Sequence, residues 1–311
     1  ATYKKLAQSA IADRPDLALL LDFPEFNLRL AKRIKRAGIK VAYYIGPQLW
    51  AWRRGRIRIV RKCVDKMLVI LPFEEQYYRQ RGIEAEFVGH PILEDFAPEK
   101  DRARFLGRLS LDPSRKTVAL LPGSRWREVE YILPTMVAAA EQVLHRLSSQ
   151  FLVSVAPSIE PDRIRRIVHD RLRGKASVAR FQVAEAPARD VLANSDFGFV
   201  KSGTGTLEAA LTGTPFLITY KISSISWHLG SILIRSPYKG LVNLIAGEEI
   251  VPEYLQAEAT PEALSRTALE YLENPEKGAA MKTRLLRVCS RLGARRASEA
   301  AASAIMSLLQ D

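Results

Sequence analysis

Three segments hold residues whose types and spacing could do chemistry. The first, LLPGSRWREVE (120–130), reads as a strand, a Pro-Gly-Ser turn and the start of a helix. Such a turn presents backbone N–H groups of Gly123 and Ser124 at a helix N-terminus, which suits an anion, and Arg125 adds a fixed cationic fork. Alone, a Gly-Ser turn after a strand is more often only a turn. The second, KSGTGTLEAALTGTPFLITYK (201–221), is sharper. After a strand ending at Val200, Ser202, Gly203, Thr204, Gly205 and Thr206 form a glycine- and hydroxyl-rich loop, and Glu208 sits in the first turn of the next helix. The loop can cradle phosphate, and a carboxylate one turn in can accept both hydroxyls of a ribose. The plainer alternative is that Thr204 caps the helix and Glu208 complements its dipole. The third, LLLDFPEFN (19–27), places Asp22 at the carboxyl end of a strand, the edge where open α/β sheets bind ligands. A carboxylate there can act as a general base or merely hold a turn.

Charge adds a fourth feature. The net charge is +13, and twelve Lys/Arg residues fall between Arg29 and Lys62 with no Asp or Glu among them. That field attracts nucleic acid, anionic headgroups or phosphorylated substrates, unless it is simply a solvated helix face. Within it, GPQLWAWRRGR (46–56) interleaves Trp50 and Trp52 with Arg53, Arg54 and Arg56, as membrane-surface and nucleic-acid-binding segments do. A second apolar stretch, 224–247, can meet acyl chains or form a core helix; within it Asn243, read as lying in a loop, can hydrogen-bond a sugar or phosphate.

The elements that must position these residues follow from periodicity. Apolar runs at 17–22, 40–45, 67–71 and 86–88 read as strands, with helix-like segments at 3–11, 27–37, 53–62 and 73–81 between them. After a polar stretch, a second series reads as strands at 117–121, 151–156, 179–183, 197–200 and 216–220. The clearest helix spans 129–147, where Val129, Ile132, Leu133, Met136, Val137 and Ala140 keep the i, i+3, i+4 spacing. Near-continuous apolar strands alternating with amphipathic helices predict parallel sheets covered on both faces, hence an α/β protein of two Rossmann-like domains with a cleft between them. The expected division is 1–98, 99–275, and C-terminal helices over 276–311 that either return to the first domain or are exchanged with a second subunit in a homodimer. The first series supplies about four strands where a doubly wound domain usually has about six, so roughly 60–90 residues of such a domain are expected ahead of Ala1.

Composition closes off other classes. No run approaches the ~18 apolar residues of a spanning helix. Cys63 and Cys289 lie far apart without CxxC or Cys/His spacing, which reads as reduced thiols, and the four histidines are scattered, so neither a metal nor a cofactor is expected. No RRM, KH or zinc pattern accompanies the basic charge, which argues against nucleic acid as the partner.

Seven segments occur in one order: DFPEFNLRLAK, YIGPQLWAWRRGR, VDKMLVILPFE, FVGHPILE, LLPGSR, SGTGTLEAALTGTP and NLIAGEEIVPEYLQ. Together, over about Pro15 to Gln256, the chain closely resembles the lipid-A-disaccharide synthases, B-type glycosyltransferases (GT-B) with two Rossmann domains. The resemblance departs in two places: the family's opening strand with its glycine-rich loop has no counterpart, and Val242 stands where the family tends to carry Pro. It implies a metal-independent, inverting transfer of a 2,3-diacylglucosamine unit from UDP to the 6-hydroxyl of 2,3-diacylglucosamine 1-phosphate. Asp22 would be the base. Gly123, Ser124, Arg125 and the Ser202–Thr206 loop would hold the leaving diphosphate, Glu208 the ribose, and Asn243 the nucleotide sugar. Asn27, Trp50, Trp52, Arg53, Arg54 and Arg56 would serve the acceptor and membrane side of a cytoplasmic protein bound peripherally to the anionic inner-membrane surface. The rival readings are a UDP-sugar 2-epimerase or another sugar transferase of the same fold, a truncated inactive relative, and a non-enzymatic anion- or nucleic-acid-binding protein.

Overall fold

In a computed structural model of the chain, residues 2–222, 237–293 and 296–310 are described. They divide into two compact units, one holding the residues up to Asp95 and those from Arg291 on, the other holding those from Phe96 to Ser290. The C-terminal helices are thus shared out: Pro275–Ser290 belongs to the second unit and Ala297–Gln310 to the first.

The first unit carries a four-stranded parallel sheet, β1 (Leu17–Leu21), β2 (Lys40–Tyr44), β3 (Lys66–Val69) and β4 (Ala85–Phe87), in that spatial order. Helices α1 (Thr2–Ala12), α2 (Pro24–Arg36), α3 (Ile57–Cys63) and α4 (Glu74–Arg79) connect or precede the strands. α2 illustrates the local logic. Pro24 sits in its first turn, where a missing N–H costs nothing, and Leu28, Leu30, Ala31 and Ile34 form the buried stripe against Val41, Tyr43 and Val60. Arg29, Lys32, Arg33 and Arg36 take the outer face, and Gly38, at φ 81°, turns the chain out of the helix. On the sheet's other face, Ala301 and Ala304 of the helix Ala297–Gln310 pack with Leu68 and Val88. Leu19 and Leu21 of β1, the edge strand, remain 49% and 54% exposed.

The second unit carries a six-stranded parallel sheet built from β5 (Lys116–Leu121), β6 (Ser149–Ser154), β7 (Phe181–Ala184), β8 (Phe197–Lys201), β9 (Phe216–Tyr220) and β10 (Glu253–Leu255). Its spatial order is β10-β9-β8-β5-β6-β7, every pair parallel. β5 to β7 extend the sheet one way and β8 to β10 the other, so the order reverses between β5 and β8, the place where doubly wound sheets open a ligand crevice. Helices α5 (Arg102–Arg108), α6 (Trp126–Arg146), α7 (Pro161–Arg171), α8 (Ala188–Ala193) and α9 (Gly205–Thr212) follow in chain order, then Leu241–Ala246, Pro261–Glu273 and Pro275–Ser290. The core lies between β5, β6, β8 and α6, with Val118, Leu120, Val153 and Phe199 against Val129, Leu133, Met136 and Val137. Truncating one of these, as in Leu133→Ala, removes ~2–5 kcal/mol of stability.

The nine expected strands are present with ends shifted by a few residues, and β10 is an addition. At three residues, each half-exposed, β10 has no apolar run to announce it. Both cysteines are free, Cys63 buried and Cys289 partly so. Among the described residues no helix is long and apolar enough to cross a membrane, and no group of His, Cys, Asp and Glu could hold a metal ion.

Candidate nucleotide pocket and a strained carboxylate turn

At the carboxyl ends of β5, β6 and β8, and beyond the end of β7, the second unit opens a cavity of about 810 Å³. Its walls come from the turn after β5 (Pro122, Gly123, Ser124), the segments after β6 and β7, and the end of β8 with the loop that follows (Lys201 to Gly205), with Glu208 behind them. Seven residues singled out from the sequence therefore line one pocket: Gly123, Ser124, Ser202, Gly203, Thr204, Gly205 and Glu208. Gly123 and Gly203 have φ of 108° and 149°, a backbone that side-chain-bearing residues rarely adopt. The N–H of Ser202 joins Thr219 O of β9 and that of Thr206 returns to Gly203 O. The amides of Gly203 and Thr204 between them have no partner among the described residues, the arrangement of an anion-binding nest.

The side chains divide by what they are already doing. Ser202 Oγ donates to Lys239 O (2.7 Å) and Thr206 Oγ1 to Gly203 O (2.7 Å), so both hydroxyl protons brace the loop, and Thr206 is fully buried. Thr204 makes no cap bond and stands exposed at the pocket wall, which removes the capping alternative. Glu208 is half-buried; burial raises its carboxyl above the usual range, and the positive charge of Arg189 works against that rise.

Two expectations are corrected. Arg125 does not line the cavity: its side chain is 78% exposed and donates to Glu128 Oε1 at 3.2 Å. Asn243 is not in a loop but inside the helix Leu241–Ala246, wholly buried. Its Nδ2 donates to Val251 O (2.7 Å) and Glu253 Oε1 (2.8 Å), and its Oδ1 accepts from the N–H groups of Ile250 (2.9 Å) and Val251 (3.0 Å). With every hydrogen-bonding position taken, it pins the chain entering β10 and has nothing left for a sugar. Three lining or supporting residues escaped the sequence reading: Lys201, Arg189 and Glu128. Lys201 had a signal, a lone cation closing the apolar strand FGFV just before the glycine loop. Glu128 looked like any first-turn helix carboxylate.

In the first unit, Asp22 follows β1 on an exposed turn. Asp22 and Phe23 both have left-handed backbones, φ 45° and 42°, costing ~1–2 kcal/mol each. The turn is held through the Asp22 carbonyl, which accepts from Tyr43 Oη (2.6 Å) and Asn27 Nδ2 (2.7 Å). Burial pushes the Tyr43 phenol well above its ordinary range, so it stays a donor. Asn27, expected on the acceptor side, is instead a buried brace whose Nδ2 also donates to Leu21 O (2.9 Å).

The basic stretch is partly neutralised by acids outside it. Arg53 and Arg56 pair with Glu25, and Lys35 pairs with Asp65. Trp50 is built into the unit, with its ring edge-on to Phe73 and its Nε1 donating to buried Glu74 Oε1 at 2.9 Å. Trp52 is half-buried under the Arg53 guanidinium, 4.6 Å from the ring centre, and Arg54, exposed, donates to Trp50 O. The apolar stretch that begins at 224 lies outside the described residues up to 236.

Two parallel-sheet α/β units, one with its crevice at the switch point, define the GT-B fold. Solved structures agree: a UDP-GlcNAc 2-epimerase from Neisseria meningitidis bound to UDP-GlcNAc superposes with a TM-score of 0.66 at 12% identity, covering 99% of this chain and 80% of that one. A putative UDP-N-acetylglucosamine 2-epimerase from Listeria monocytogenes gives 0.65 at 14%, covering 99% and 78%. Sequence is more specific. The pattern of the lipid-A-disaccharide synthetase family matches residues 1–306, and the chain belongs to that family. The lipid-A-disaccharide synthase of Myxococcus xanthus is 39% identical over 307 residues, 98% of this chain and 79% of that protein. That of Trichlorobacter lovleyi is 38% identical over 311 residues, 100% and 80%.

Proposed function

We propose that this chain is a UDP-sugar-dependent glycosyltransferase that makes the lipid A disaccharide. It would join UDP-2,3-diacylglucosamine to 2,3-diacylglucosamine 1-phosphate, giving the β-1,6-linked disaccharide 1-phosphate and UDP. The observation that carries the site assignment is the convergence of the Gly123–Ser124 turn, the Ser202–Gly205 loop and Glu208 on one cavity at the β5/β8 reversal. Open amides suit a diphosphate, and a half-buried carboxylate beside them suits a ribose diol.

In the reaction, the acceptor's 6-hydroxyl oxygen forms the new bond to the anomeric carbon while the bond to UDP breaks on the opposite face. One displacement turns an α-linked donor into a β product. Asp22 takes the hydroxyl proton, and the amide-lined turns receive the charge that develops on the diphosphate. Both substrates carry acyl chains, so the exposed cations of α2 and α3 dock the protein on an anionic bilayer from the cytoplasmic side. A homodimer would follow if the C-terminal helices also met a second copy.

A mass-resolved assay with UDP-diacylglucosamine and the 1-phosphate acceptor tests the proposal. The expected products are the disaccharide phosphate and UDP in equal amounts. Conversion of non-acylated UDP-N-acetylglucosamine with no condensation would replace this reading by the epimerase one.

A further inference from the structure

Lys201 ends β8 and enters the cavity between the two turns described above. Its stem runs past Gly123, where an added methyl group would lie 3.3 Å from Lys201 Cδ. Its ammonium reaches the second turn, where a methyl group on Gly203 would lie 3.7 Å from Nζ. The side chain is only 16% exposed, and its one ionic neighbour among the described residues is Glu128, 3.1 Å away and itself 10% exposed. That pair lacks hydrogen-bond alignment: Glu128 Oε2 is buried with no hydrogen-bond partner, and Nζ has no acceptor among the described residues. Glu128 balances the charge of this largely desolvated ammonium, and the N–H donors that remain are left for a second anionic oxygen from the cavity.

We infer that Lys201, held in place by Glu128, is the cation that reads the diphosphate of the bound nucleotide, an assignment that rests on the UDP-sugar reading above. Arg125 pairs with the same carboxylate but stands exposed beside the cavity. Both cations share Glu128, but Arg125 reaches Oε1 from the solvent side whereas Lys201 approaches Oε2 from within the cavity. A compact ammonium between two amide-lined turns meets phosphate as a point charge, with no need of a flat bidentate partner. Glu128 is the positioning residue. It draws the ammonium towards the Gly123 turn and neutralises it while the cavity is empty. The ligand class is therefore a nucleoside diphosphate, and what Lys201 reads is the phosphates, the ribose being left to Glu208.

The test is calorimetric titration of the full chain with UDP and with uridine, for the wild type, K201M, E128Q and the double variant K201M/E128Q. The double variant covers the chance that K201M alone is unstable because it leaves the buried carboxylate with Arg125 only. In K201M and in the double variant UDP should bind ~10–100-fold more weakly while uridine stays within about two-fold, the signature of one lost charge-assisted contact to phosphate. E128Q should also weaken UDP and spare uridine, because the ammonium loses its anchor. Undiminished UDP binding by a folded double variant overturns the role of Lys201, as does an equal loss for UDP and uridine. Tighter UDP binding by E128Q overturns the positioning role of Glu128. A wild-type chain that binds no UDP fails at the earlier step and removes the nucleotide reading itself.

Discussion

The two sheets handle their special backbone differently. The six-stranded unit turns its pocket with glycine: Gly123 and Gly203 take positive φ where no side chain is wanted. The four-stranded unit puts side chains into the same costly region. Of the seven described non-glycine residues with positive φ, five (Arg14, Asp22, Phe23, Ile45 and Arg53) lie in it, and Asp22, Phe23 and Ile45 directly follow β1 and β2. Strain of that kind persists only where the surroundings over-determine it, and here Tyr43 and Asn27 grip the Asp22 carbonyl. The difference suggests a division of labour. One unit leaves amides open at its cavity; the other pins the backbone that carries Asp22.

The largest expected effect tests that division directly. Replacing Asp22 with Asn keeps the shape but removes the proposed base, so turnover should fall ~10²–10⁴-fold with UDP affinity unchanged. Equal losses in turnover and UDP affinity would show that the carboxylate serves binding and that the two units are not so separated. Next comes the ribose. Glu208→Gln should weaken UDP ~10-fold or more, as expected for hydrogen bonds to a charged group, yet leave a 2′,3′-dideoxy analogue of UDP untouched. A matching loss for the analogue would take Glu208 off the sugar hydroxyls.

Much of this was legible in the sequence, and the misses have physical causes. Periodicity marked nine strands because they are apolar nearly throughout, as strands of parallel sheets are, even in β1 where Leu19 and Leu21 stay exposed; β10 is short and half-exposed and carried no such mark. Backbone donors were readable because Gly123, Gly203 and Gly205 announce turns after strands. Which side chains face the cavity was not, because that depends on tertiary partners. Asn243 looks like a ligand residue until Val251 and Glu253 are seen to saturate its amide, and Arg125 until Glu128 is seen to hold it outside. Asn27 and Trp50 likewise sit in segments read as surface, yet each spends its polar group inward. Net charge was readable as a sum but not as a field, since Glu25 and Asp65 lie just beyond the ends of the basic run and fold back onto it.

A third prediction concerns stability. Glu74 is buried beneath Trp50, accepting from its Nε1 and from Leu71 N, and burial raises its carboxyl to about 7. The folded first unit therefore holds this proton more tightly than the unfolded chain does. That contribution is complete below the unfolded value near 4.5 and is lost as pH rises through about 7, a change of ~3 kcal/mol at most. Urea unfolding of this unit should become easier between pH 5 and 8, roughly, and Glu74→Gln should flatten the slope. A slope unchanged in the variant would assign it to other groups. The pH dependence of the second unit, followed by its own probe, should be untouched by Glu74→Gln.

The smallest effect belongs to the surface. With Arg53, Arg56 and Lys35 paired internally, the cations left outward on α2 and α3 are Arg29, Lys32, Arg33, Arg36, Arg58, Arg61 and Lys62. Each contributes about 1 kcal/mol near an anionic bilayer and loses most of that as salt shortens the screening length. Co-sedimentation with vesicles containing anionic lipid should therefore fall steeply with ionic strength. Charge reversal at Lys32 and Arg36 should lower it further than reversal at Arg53, whose charge Glu25 already occupies. If reversal at Arg53 proved as damaging as reversal on α2, the internal ion pair would have to open at the membrane, and the docking face would centre on Trp52 instead of on the helix.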